Sequence, residues 1–446
     1  MTHTTLWLSQ IQFYSSLGFM ALFLMMALGL AWMLAYFRIR SLFAPAGTWM
    51  AAYRFWVRVF ALAFFLGFAS GLPVLIQFGS LWPALMGKIG DVAGPLLAAG
   101  VTSVFIFKSC FLGAMLFGER QLSDKAHATV VVMVAVGAQV MVFWLLALVS
   151  WMHVPMGAVM QDDHYRVSDW MAVIFNPAMP WYVGMFTVGG LLLAAFLVMG
   201  VVAAQSLRHP SEECQRLAFR TAVRLACVCI VLQVACVAGS GLVSARYQPA
   251  KAAATTGYWD SGQQPDLVLL AWPDAASGTN RAAWLWRHAG GRWLGKDEQG
   301  ELRGLDQFLG MAPPVAATFW SFRLAVLAGM LMAATAWLTG WRARRHAYDP
   351  GALSRGWRHL LTGMAFLAWG MVLAGVAHLL LGAYPYVVNG TITVDEVTGA
   401  TSAGVLTGGL LAFAALYVLF VGGFLQTVRH IARYGVVPVA RRRGRA

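Results

Sequence analysis

Apolar and polar positions alternate along this chain in long blocks rather than short periods. Nine apolar stretches, at about 14–37, 55–79, 94–118, 128–152, 182–204, 219–244, 317–340, 359–382 and 404–427, each approach or exceed the ~20 residues that a bilayer requires of a helix. The first stretch is preceded by MTHTTLWLSQIQF (1–13), whose mixed pattern predicts a short amphipathic lead-in at the membrane surface. Between the sixth and seventh stretches lies a polar segment, roughly 245–316, rich in Gly and Ala and carrying Tyr258, Trp259, Trp284, Trp286 and Trp293. A connection of that length is expected to be functional or to fold as a small cap. Within it, WLWRHAGGRWLG (284–295) reads as a hairpin turning at Gly290-Gly291.

The charges fit this division. Arg38, Arg40 and Arg54, then Arg120 and Lys125, then Arg208, Arg216 and Arg220, then Arg342, Arg344, Arg345, Arg355 and Arg358 fall on alternate connections. The tail adds Arg429, Arg433 and the run Arg441-Arg442-Arg443. The other short connections carry Asp91, Asp162, Asp163, Asp169, Asp395 and Glu396, with only Lys88 and Arg166 as bases. Basic connections stay on the cytoplasmic side. The pattern predicts an all-α polytopic membrane protein of about nine transmembrane helices, its N-terminus periplasmic and its C-terminus cytoplasmic. The long loop between helices six and seven is then periplasmic. No cleavable signal is expected, because no Lys or Arg precedes the first span. Three regions follow: 1–244 with six helices, 245–316 as the outer loop, and 317–446 with three helices and a basic tail.

Composition agrees: 59% of the 446 residues are hydrophobic and 11% charged, and the mean hydropathy is +0.66. The net charge of +14 is explained by its placement on one side, not by a groove for nucleic acid. Five cysteines without a C-x-x-C pair indicate neither zinc nor c-type haem. All eighteen Asp and Glu fall outside the nine stretches, so no carboxylate relay for protons is expected within the membrane. Lys108 is the exception among charges, near the centre of the third stretch, where a charge costs on the order of 3 kcal/mol. It is expected to be neutral, to bond backbone carbonyls, or to meet an acidic group on a partner subunit. Gly67/Gly71 and Gly404/Gly408 have the spacing that lets helices approach closely.

The wording of 67–118 organises the rest. Gln77-Phe78-Gly79, Trp82, Gly90-Asp91 and Gly94-Pro95-Leu96 resemble subunit I of the cytochrome bd-type quinol oxidases. Leu8-Ser9 with Gln12-Phe13, Ser150-Trp151-Met152 with Pro155 and Gly157, Asn176-Pro177, Phe322-Arg323, and Gly382 with Pro385 extend the resemblance over nearly the whole chain. The resemblance implies a bacterial cytoplasmic-membrane protein, in a heterodimer that oxidises quinol and reduces oxygen with a low-spin haem b, a high-spin haem b and a haem d.

The family's functional positions are altered here. The first-helix histidine becomes Met20, and the low-spin haem's histidine and methionine become Met185 and Ala325. The third-helix glutamates fall on Ala99 and on Phe107 or Lys108, and the eighth-helix glutamate becomes Leu373. In the long loop Lys251 matches a lysine associated with quinol oxidation, while its companion glutamate falls on Thr256. Arg323 and Lys251 then stand as family remnants, and no catalytic or metal-binding residue is expected. The resemblance thus leads to a haem-free, subunit-I-like chain, with haems b and d in a haem-bearing subunit I partner and a lipid or structural quinone as its own ligand. Two alternatives stay open: a divergent haem-binding subunit using Met20, Met185 or His378, and a small-molecule transporter or sensor with the outer loop as receptor.

Overall fold

The structure is a computed structural model that describes residues 3–44, 47–262 and 265–434. The basic run at 441–443 lies outside the described residues. Among these, nine helices are long and apolar enough to cross a membrane. They are α1 (His3–Ser41), α2 (Thr48–Leu81), α3 (Pro83–Phe107), α4 (Asp124–His153), α5 (Met179–Ser206), α6 (Glu213–Tyr247), α7 (Val315–Ala343), α8 (Arg355–Leu381) and α9 (Ala403–Tyr434).

α1 is the centre of the bundle and packs against α2, α4, α5, α8 and α9. It is apolar on every side, as a helix surrounded by protein should be. In its most apolar stretch 72% of residues are buried, and in that of the fifth span 67%, against 12%, 11% and 6% for the third, eighth and ninth. The chain thus buries two helices and leaves three on the periphery. The closest crossing joins α1 and α5: a Cβ at Gly29 would lie 2.0 Å from the Gly190 carbonyl oxygen, and one at Gly190 would lie 2.5 Å from that of Met25. Of the predicted close-packing glycines, Gly67 lies against Leu24, but Gly404 and Gly408 have no neighbour within 4 Å. Those two sit on the outward surface of α9 and make no close crossing within this chain.

Local chemistry sets the helix ends. Ser123 accepts from the Ala126 amide at the start of α4, and Ser354 from the Trp357 amide at the start of α8. Before α5, buried Asn176 donates to Ser150 Oγ (2.9 Å) and to the Val173 carbonyl, and accepts from the Ala178 amide. The N-terminal stretch is not a separate surface helix. It forms the first turns of α1, with Leu6, Ser9, Gln10 and Gln12 buried and Trp7 stacked on Tyr384 at 5.8 Å. Asp91, read as a connection, lies inside α3 on its exposed side.

The connections divide between two faces. The N-terminal end of α1, the hairpin β1 (Ala158–Gln161)–β2 (His164–Val167), the 248–314 segment and the 383–402 segment share one face. They are joined there by Asn389 to Met152 and Tyr247, and by Gly399 to Leu81. The opposite face holds buried Arg38, which donates to His127 Nδ1 (2.9 Å), Ser41 Oγ and Asp124. There the end of α9 meets α5 through Gln205 and the Ala432 carbonyl.

The long segment folds as a cap. A short helix, Pro249–Thr256, is followed by an antiparallel hairpin of β3 (Leu267–Asp274) and β4 (Thr279–Trp286). The hairpin therefore turns at 275–278, not at Gly290-Gly291. Asp274 accepts from the Ala276 amide and Ser277 hydroxyl, and Gly278 takes φ +62°. Gly290 instead supports a close approach, since a Cβ there would lie 2.7 Å from the Asp266 carbonyl.

Candidate functional site

Two regions bring together the positions singled out from the sequence. The first lies where α1 faces α2, α8 and α9. Met20 on α1 is half-buried and points toward Gly71 of α2, where a Cβ would be 3.9 Å from its sulfur. Two residues earlier, a Cβ at Gly18 would lie 3.4 Å from Leu373 Cδ2 of α8. The eighth-helix position thus adjoins α1 at Gly18, about 200° around the helix from Met20, and Leu373 is 42% exposed. Around them α1, α8 and α9 interlock through aromatic rings. Phe19 stacks on Tyr417 at 4.4 Å, and Phe23 meets Trp369 at 6.1 Å and Phe424 at 5.3 Å. One polar bond crosses this seam, from Tyr417 Oη to Ser16 Oγ at 2.6 Å.

The third-helix positions are apolar in surroundings as well as in kind. The Ala99 carbonyl accepts from Ser103 Oγ, and Phe107 fills the space over Gly137 of α4, where a Cβ would lie 2.2 Å from the ring. Directly after Phe107 the helix widens into a π-turn, Lys108–Leu112. Such a turn inserts one residue into the helical register. The Lys108 side chain lies outside what the structure describes.

The second region lies under the cap. Met185 packs against the cluster of Val154, Ala178 and Tyr182, as do Val149, Val243, Tyr247 and Leu379, and Ala325 is half-buried on α7. Lys251 sits on the short helix after α6, 5% exposed. Its aliphatic stem crosses Gly382, where a Cβ would lie 2.9 Å from both its Cγ and its Cε. Burial pulls the Lys251 ammonium down to about 8. His153 and His378 lie within its electrostatic reach. His153 Nδ1 lies 2.9 Å from Nε2 and 3.2 Å from Oε1 of the buried Gln248 amide, accepting from the first or donating to the second according to its tautomer, and carries Tyr182 edge-on at 5.4 Å. His378 Nδ1 lies 3.2 Å from the Thr318 carbonyl and its ring lies 5.2 Å from Phe322. Thr256 bonds back to the carbonyls of Ala252 and Ala253, so nothing acidic stands at its position.

Arg323 is 7% exposed and faces the cap rather than a carboxylate. Its guanidinium donates to the carbonyls of Val268 (2.7 Å), Leu269 (3.2 Å) and Thr255, and lies 3.4 Å from the Phe319 ring. It ties β3 and the short helix to the start of α7. The cluster of Lys251, His153, Gln248, His378 and Thr318 was only half visible in the sequence. His153 stands inside the motif at 150–157 and Gln248 just before Pro249, but neither signals its partner.

Axial ligation of haem iron needs His, Cys, Met or Tyr donors. Of the two positions flanking the second region, Ala325 has no donor atom, and half-buried Met185 packs against the cluster of Val154, Ala178 and Tyr182. At the first region the Met20 neighbourhood holds aliphatic and aromatic groups with one hydroxyl pair. Met20 and Met185 each keep a thioether and Ala325 has no donor, so a haem held on both sides by the pair Met185 and Ala325 does not fit.

The fold itself is that of a bd-type oxidase. It superposes on the bd oxidase from Geobacillus thermodenitrificans with a TM-score of 0.86 at 20% identity, covering 97% of this chain and 99% of that one. The profile of the family "Cytochrome bd terminal oxidase subunit I" matches residues 8–436, and the chain belongs to that family. It is 28% identical over 428 residues to cytochrome bd ubiquinol oxidase subunit 1 of Bacillus subtilis, covering 92% of this chain and 90% of that protein. It is also 28% identical over 270 residues to cytochrome bd-II ubiquinol oxidase subunit 1 of Escherichia coli, covering 60% and 52%. With its apolar helices, this makes it a multi-pass protein of the bacterial inner membrane.

Proposed function

We propose that this chain is a haem-free structural subunit of a cytochrome bd-type quinol:oxygen oxidoreductase, paired with a haem-bearing subunit I that carries haems b and d. The observation that carries the reading is the pair Met185 and Ala325, of which one has no donor and the other is packed among apolar side chains. The aromatic seam of Phe19, Phe23, Trp369, Tyr417 and Phe424 around the Met20 region supports it, since rings there supply packing rather than iron ligation. The absence of Asp and Glu from the middle of the nine spans supports it further, because oxygen reduction needs a proton path.

On this reading the chain holds its partner in the membrane, with the N-terminus and the 245–316 cap on the periplasmic face. A lipid or structural quinone is its own ligand. Lys251 and Arg323 are structural here: one is a buried amine beneath the cap and the other a tie to it. The experiment is a haem assay of the purified complex with Met20→Leu and Met185→Leu. The complex's haem content and spectrum should be unchanged. A lost or shifted haem band would instead make this chain a divergent haem-binding subunit, with His378 as the next ligand to test.

A further inference from the structure

The cap meets the end of α6 in a way that leaves a basic cleft at membrane level. Two contacts dock the segment. Trp293 lies over Gly241, where a Cβ would be 2.9 Å from the ring, and Gly295 lies so close to α6 that a Cβ would be 2.6 Å from the Ala245 carbonyl. Arg303 closes the turn by donating its backbone amide to the Gly295 carbonyl at 2.8 Å. Beside these contacts opens a cleft of about 300 Å³, lined by Leu242, Arg246, Pro249, Arg292, Lys296 and Arg303, among others. None of its lining residues is acidic, and none of its four cations takes part in a salt bridge among the described residues. A larger cleft of about 750 Å³ shares Arg292 and Lys296 and adds Trp286, His288 and Trp293.

Depth fixes what such a cleft meets. α6 has 35 residues, which at 1.5 Å each span roughly 52 Å. The hydrocarbon core is about 30 Å thick and the whole bilayer about 45 Å. The 21 residues between Arg224 and Arg246 carry no charge, roughly 32 Å of helix that matches the hydrocarbon core and sets Arg246 at the headgroups. Below it Leu242, Val234, Val231 and Val228 are exposed along the helix, an apolar strip leading down from the cleft. Four cations at the head of an apolar strip match a phosphate with acyl chains beneath it. Guanidinium groups bind phosphate oxygens bidentately. A headgroup amine would need an acidic partner, which the smaller cleft does not supply.

We propose that this cleft binds the phosphate headgroup of an anionic phospholipid, its acyl chains lying along α6 and the cap closing over it. The proposal is independent of whether the chain carries haem.

The test is native mass spectrometry of the full chain, with whatever subunit co-purifies, titrated with dioleoyl-phosphatidylglycerol or dioleoyl-phosphatidylcholine. One phosphatidylglycerol should be retained per chain, in clear preference to phosphatidylcholine. Each cation should contribute about fivefold to that preference. Arg246→Gln/Arg292→Gln/Lys296→Gln together should therefore lower it by a factor on the order of 100. Arg166→Gln, an exposed substitution on another loop, should not change it. Should the triple variant not fold, Lys296→Gln alone should still cost about fivefold. Equal retention of both lipids, or an unchanged preference in these variants, would overturn the proposal. So would displacement of phosphatidylglycerol by inorganic phosphate, which would reassign the cleft to a free anion.

Discussion

Lys251 offers a sharp test of how the cap sits on the bundle. The side chain is 5% exposed, its stem is pressed on Gly382, and no carboxylate pairs with it among the described residues. Burial lowers its ammonium from an ordinary 10.5 to about 8. At 1.36 kcal/mol per pH unit, the folded state carries a penalty of about 3 kcal/mol for holding the charged form. The sign follows from proton counting. Below pH 8 the amine is charged in both the folded and unfolded chain, and the penalty is complete. Between about 8 and 10.5 the unfolded chain binds more protons than the folded one, so stability rises with pH. Lys251→Met keeps the stem and removes the charge, so it should stabilise the chain by about 3 kcal/mol at pH 7 and by little near pH 10.5. The assay is thermal unfolding in detergent, followed by tryptophan fluorescence from pH 6.5 to 10.5, variant against wild type. Other titrating groups cancel in that difference. A variant that melts lower than wild type at every pH, or a difference that does not depend on pH, would refute the reasoning and reveal a stabilising contact at the amine.

Three further perturbations bear on the same architecture. Arg323→Met removes the donor to three cap carbonyls and should cost about 3 kcal/mol or more, seen as faster proteolytic cleavage within 257–314. Gly29→Ala places a methyl 2.0 Å from the Gly190 carbonyl and should cost about 1–3 kcal/mol in thermal unfolding, whereas Gly408→Ala, with nothing within 4 Å, should leave the chain's own stability unchanged. Lys108→Met should leave the purified complex assembled if the amine is neutral or bonded to carbonyls; a complex that falls apart on gel filtration would instead identify a partner's acidic group as its mate.

The sequence carried the nine apolar helices well because twenty-residue apolar blocks are a direct consequence of bilayer physics. It failed where tertiary contact decides. The stretch at 1–13 looked amphipathic because Ser9, Gln10 and Gln12 are polar, yet these are buried against neighbouring helices once α1 is continuous. The hairpin was misplaced because LVLLAWP lacks the alternation of a strand, while Gly290-Gly291 imitates a turn. The closest crossing sets Gly29 against Gly190 and Ala194, a small-xxx-small pair on α5 that nothing in the sequence marks out from other such spacings. Of the candidate site, the altered positions could be read one by one. That Gly18 adjoins Leu373, or that Lys251 shares a buried space with His153 and His378, required the fold.

The most direct test of the central claim is pyridine-haemochrome quantitation on this chain purified alone, and then on the complex that co-purifies with it. The account predicts a colourless isolated chain, with haems b and d appearing only in the presence of the second subunit. Stoichiometric haem in the isolated chain would contradict it.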